Sequence, residues 1–142
     1  MDEPFWHCEY SVEPRVSLAF AWSYWTDVRN WADPPAEFSL EGDFAPGSEG
    51  TTRMPGQEPL RWRIAGVQPP HSAKIQLPLD GASISFNWRL EPLPDGCTRI
   101  TQRVELTGQN AKSYVDACAP FAANLPGGMQ RLAAAMEIAA GL

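Results

Sequence analysis

Residues 82–108, ASISFNWRLEPLPDGCTRITQRVELTG, constrain the fold more tightly than any other part of the chain. Ile84, Phe86, Trp88 and Leu90 alternate with Ser83, Ser85, Asn87 and Arg89, the period-two pattern of a strand with one apolar face. Ile100, Val104 and Leu106 alternate in the same way with Arg99, Thr101, Arg103 and Glu105. Between the two runs, PLPDG carries turn chemistry, so the segment predicts an antiparallel hairpin. Gln102 sits in the middle of the second strand's apolar face. A buried amide without partners costs ~1–3 kcal/mol, so a side chain, a backbone group, a water or a ligand should meet it.

The rest of the chain extends this pattern. FWHCEYSVE places Trp6, Cys8, Tyr10 and Val12 on one side of a first strand. In SLAFAWSYWTDVRNW, Leu18, Ala21, Trp22, Trp25 and Val28 recur at helical spacing behind a Ser17 N-cap, and Asp33-Pro34-Pro35 stops the helix. EFSLEGDF, TTRMPG, LRWRIAGVQ and SAKIQLPL then read as successive strands, with Pro78 marking an edge or a bulge. After Gly108 the period changes to about 3.6. Ala111, Tyr114, Val115, Cys118, Ala122 and Leu125 form one stripe, and Met129, Leu132, Ala133, Met136 and Ala140 a second. Pro120 should kink the first segment, and Pro126-Gly127-Gly128 should bend or break the chain between them. A sheet with one apolar face needs a cover, and only the C-terminal helical region is long enough. The expected class is α+β. A curved antiparallel sheet of about six or seven strands wraps around a long C-terminal helix, with two short helices after the first strand.

Composition narrows the function. The 142 residues are 44% hydrophobic and 20% charged, with a net charge of −6. Such a chain is globular and fits one domain. Its few basic residues are scattered, which argues against nucleic-acid binding. No apolar run has signal-peptide or membrane-spanning length, so a cytoplasmic location without stable membrane insertion is expected. Cys8, Cys97 and Cys118 are too far apart for a disulfide framework or a metal site, and neither metal nor cofactor is expected.

AWSYWTDVRNWAD, with Trp22, Thr26-Asp27 and Trp31, resembles the first helical pair of the START-like (SRPBCC) superfamily. Within it, the likeness is to the polyketide cyclase/dehydrase and lipid-transport type. FAPGSEGTT, RWRIAGVQPPHSAKIQ and LPDGCTRITQRVEL are similar to that family's hairpins, and the likeness runs from about Phe5 to Ala140. The resemblance implies a helix-grip fold, here a single START-like ligand-binding domain over residues 1–142. It also implies a cavity between sheet and helix for a hydrophobic or amphipathic small molecule such as a lipid, polyketide or quinone. Some members cyclise or dehydrate polyketides and others carry or sense ligands, so the fold alone does not choose a reaction.

Large aromatics on the apolar face suit a cavity wall, although each also suits an ordinary core. The candidate ligand-binding residues are Trp62, Phe86, Trp88, Gln102, Tyr114, Cys118 and Phe121, with Asn124 a further residue able to face the same space. Gln102 reads either as a core amide satisfied by Tyr114 or backbone, or as the group that orients a ligand. No catalytic residue stands out: His7 and His71 lack carboxylate partners, and Glu37, Glu41, Asp43 and Glu105 point outward. A binding module is the leading expectation. A cyclase/dehydrase-type enzyme that works by positioning in the same cavity is the alternative, and a protein-interaction domain ranks behind both. A homodimer is compatible with every one of these features.

Overall fold

The computed structural model describes residues 4–31 and 36–142. Seven strands form one antiparallel sheet: β1 (Trp6–Val12), β2 (Glu37–Leu40), β3 (Glu49–Arg53), β4 (Leu60–Gln68), β5 (Ser72–Leu79), β6 (Ala82–Pro92) and β7 (Thr98–Thr107). Their order is β1-β7-β6-β5-β4-β3-β2, so every neighbour except the β1–β7 pair is consecutive in sequence. Helix α1 (Leu18–Trp25) and a 3₁₀ turn (Val28–Asn30) follow β1, and a second 3₁₀ turn (Ala111–Tyr114) leads into α2 (Val115–Ala139). This is the helix-grip architecture. The long helix lies on the concave face of the sheet.

Alternation sets that face. Trp6, Cys8, Tyr10 and Val12 of β1 pair with Leu106, Val104, Gln102 and Ile100 of β7, and on the other side of β7 Trp88 of β6 lies directly opposite Gln102. Ile64, Ile75, Ile84, Leu90, Ile100, Val104 and Leu106 form the buried floor of the groove. Cys118, Leu125, Met129 and Met136 descend on it from α2. On the convex face Arg103 meets Glu105 at 2.8 Å and Glu9 at 3.6 Å, and the Ser11 and Thr101 hydroxyls meet at 2.8 Å.

Several local expectations hold and others need correction. Ser17 caps α1, its Oγ accepting the Phe20 N–H at 3.1 Å. β2 ends at Leu40, so Phe44 comes from the following turn and not from the strand. The Asp33-Pro34-Pro35 stop lies outside the described residues. Pro78 is not at a bulge, since the register shift is in β4, between Ile64 and Gly66, and β5 as a whole is a central strand. The β4 pairing of β5 stops at Gln76, however, so Pro78 has a partner strand on one side only and its missing N–H breaks no ladder bond to β4. The two C-terminal stripes belong to one continuous helix that runs through Pro120 and Pro126. Leu125 and Met129 are buried on either side of Pro126-Gly127-Gly128, and this tertiary packing overrides the poor local propensity.

Two contacts fix the chain between β1 and α1. Thr98 is fully buried, and its Oγ1 donates to the Val16 carbonyl at 2.8 Å. Thr98→Val keeps the shape and orphans that carbonyl, so a loss of ~1–3 kcal/mol in denaturant unfolding is expected; an unchanged midpoint would show the bond to be dispensable. Nearby, the Glu137 carboxylate accepts from the Arg15 backbone N–H at 2.8 Å and from its guanidinium at 3.3 Å. These bonds, the backbone one foremost, hold the Glu137 carboxyl below its ordinary range. A depressed folded-state pKa gives stability that is present above the unfolded value and lost as pH falls through the folded one. Glu137→Gln should therefore lose less stability than the unmodified protein between about pH 6 and about pH 3, and parallel losses would refute the linkage.

Candidate functional site

The concave groove has two different halves. One is packed with rings delivered by α1, the turn after it and the strands. Trp25 is 2% exposed and lies 4.6 Å from Trp88, 5.1 Å from Phe44, and 5.9 Å from both Trp22 and Trp31, between ring centroids. Trp31 continues the cluster to Trp62 at 5.5 Å and Phe38 at 5.9 Å. Its indole N–H donates to the Trp25 carbonyl at 2.6 Å, and that of Trp62 donates to Thr52 Oγ1 at 3.0 Å. Tilted and edge-to-face pairs of this kind add to the burial of the rings themselves. This half is a plug.

The other half is more exposed at its inward positions. Phe86 of β6 meets Phe121 of α2 edge-to-face at 5.6 Å, spanning the gap between sheet and helix. Phe86, Trp88, Gln102 and Phe121 are only half-buried although they face the interior. By contrast Ser85 and Thr101 are buried although they point to the convex side. Tyr114 does not satisfy Gln102, because its hydroxyl donates to the Asp80 carbonyl at 3.0 Å. The Tyr10 hydroxyl accepts from the Gln130 amide at 2.9 Å. Among the described residues none hydrogen-bonds the Gln102 amide, and no fully buried side-chain nitrogen or oxygen lacks a partner. The Gln102 amide therefore faces solvent-accessible space. The same reasoning applies to the indole N–H of Trp88.

The structure thus divides the seven residues singled out from sequence. It brings Phe86 and Phe121 together, sets Trp88 beside Gln102, and puts Tyr114 at the end of the groove where α2 begins. Trp62 belongs to the plug. Cys118 has no accessible surface, so a ligand could reach it only by displacing its neighbours. Asn124 is exposed on the outer side of α2. Trp25 was not among the candidates, although the Trp22, Trp25 and Trp31 spacing is visible in the chain.

Electrostatics leave the inner surface neutral. The inward positions of β1, β4, β5, β6, β7 and α2 carry no Asp, Glu, Lys, Arg or His. Burial pushes the thiols of Cys8 and Cys118 up, and proximity to Cys8 adds to the shift at Cys118. Both are thus poor nucleophiles. No group of three or more His, Cys, Asp and Glu among the described residues is placed to hold a metal ion. Two broad surface clefts lie elsewhere: about 580 Å³ beside Asp27, Phe38, Asp43 and Phe44, and about 430 Å³ beside Glu37, Arg53 and Gln57. Both sit at the β2–β3 end, away from Gln102 and open to solvent.

The family model for polyketide cyclase/dehydrase and lipid transport matches residues 6–137. The chain belongs to this family. A search of curated proteins finds no significant sequence match. Among solved structures, a norcoclaurine synthase point mutant from Thalictrum flavum, in complex with a transition-state analogue, superposes with a TM-score of 0.74. It shares 14% identity over 96% of each chain. Ara h 8.0201 gives 0.70 at 15% identity over 92% of this chain and 97% of that one. Protein Ms6760 from Mycobacterium smegmatis gives 0.64 at 17% identity over 93% and 88%. At these identities the likeness establishes the START-like fold alone. No helix among the described residues is long and apolar enough to cross a membrane.

Proposed function

We propose that this protein binds a hydrophobic or amphipathic small molecule, of the lipid, polyketide or quinone kind, between the sheet and α2. Phe86, Trp88 and Phe121 form the walls, Gln102 orients the ligand, and Tyr114 borders one end. The observation that carries this reading is the Gln102 amide, inward-facing and without a protein partner. A few placed polar groups in an apolar wall are typical of ligand sites. Membership of a lipid-transport and cyclase family supports the same reading. Side-chain acid–base catalysis gains no support from an inner face without carboxylates or histidines.

The test is mass spectrometry of freshly purified protein under native and denaturing conditions. A co-purified small-molecule mass that leaves on denaturation is the expected result. A clean mass, together with no heat released on titrating naphthalene-sized apolar compounds, would sink the proposal.

A further inference from the structure

Trp88 and Gln102 are directly opposed across β6 and β7, which sets the Cβ atoms of such a pair about 4.5–5.5 Å apart. Both polar groups open onto accessible space, and neither is bonded within the protein among the described residues. Their chemistry is unequal. An indole N–H only donates, whereas a primary amide donates twice and its oxygen accepts up to twice, so the pair offers three donors against two lone pairs and favours an acceptor. The surrounding inner face supplies no counter-ion, and an ion moved there would lose its hydration uncompensated. Phe86 and Phe121, 5.6 Å apart and at 75°, offer ring faces and edges to the body of the ligand.

We infer that the ligand is an uncharged carbonyl compound with an apolar, ring-sized body, its oxygen held by the Gln102 amide and the Trp88 indole N–H. The inference rests on the cavity reading above and narrows it. It sets aside carboxylates, such as a fatty acid buried head-first, and amines.

Calorimetric titration of the full chain with four matched probes tests it: 2-acetylnaphthalene, 2-ethylnaphthalene, 2-naphthoate and 2-(aminomethyl)naphthalene. The ketone should bind about tenfold more tightly than the hydrocarbon, the effect of roughly one good hydrogen bond, and both charged probes should bind more weakly than the ketone. Gln102→Leu should remove most of the ketone's advantage over the hydrocarbon, the Trp88 N–H holding the remainder. The ¹⁵N indole resonance of Trp88, assigned by its loss in Trp88→Phe, should shift with the ketone only. Equal binding of naphthoate or the amine would overturn this inference and leave the cavity reading standing. So would equal binding of ketone and hydrocarbon. Binding of none of the four would overturn both.

Discussion

Trp25→Ala should lose ~3–5 kcal/mol in denaturant unfolding, the range for emptying a large buried aromatic site. That is a large share of the ~5–15 kcal/mol a domain commonly has. Trp25 is 2% exposed and touches four other rings, so its removal leaves a void that rigid neighbours cannot collapse to fill. Its carbonyl also accepts the Trp31 indole N–H, a bond that survives the substitution only if the backbone holds its place. Trp22→Ala is the matched control, because Trp22 is half-buried. A loss at Trp25 no larger than at Trp22 would show that the ring cluster is not the organising contact at this end of the groove.

The second large effect is expected from adding a single methyl. Gly50 of β3 faces Trp62 of β4 across the ladder, and the six-membered ring of Trp62 lies flat over it, where a Cβ would stand. The ring has no easy retreat. It is 6% exposed, donates to Thr52 and packs on Trp31. Gly50→Ala should therefore lose ~1–3 kcal/mol by overpacking, although alanine is otherwise at least as acceptable as glycine within a strand. Trp62→Leu clears the space, so Gly50→Ala should cost far less in that background. Equal costs in both backgrounds would mean that the clash is not the cause.

How much of this was legible follows from which forces are local. The 82–107 hairpin can be read residue by residue, and β4 and β5 as strands without the irregularity in β4, because period-two alternation and turn chemistry depend on near neighbours. The Ser17 cap is local too. The continuity of α2 is not: Pro126, Gly127 and Gly128 argue against a helix, and only the burial of Leu125 and Met129 on the sheet holds it. Gln102 shows both sides. Parity alone places its side chain on the inner face, but its lack of a partner depends on Tyr114 bonding to Asp80, a contact between segments 34 residues apart. The aromatic plug was the least visible feature. Trp22 and Trp25 read as one helix's apolar stripe, and nothing local says that this stripe meets Trp88, Phe44 and Trp31 instead of lying under the long helix.

The strand order also sets the timing of folding. β2 to β7 are joined by short connections and can zip as a meander as each strand emerges from synthesis. β1 is made first, yet its strand partner is β7, with Trp6 opposite Leu106 and Val12 opposite Ile100. Closing that separation is the costliest loop closure in the sheet, and non-local pairings of this kind slow folding. Until β7 is made, Trp6, Cys8, Tyr10 and Val12 wait without their strand partner. The nascent chain therefore carries an adhesive β1 until the last strand of the sheet has been made.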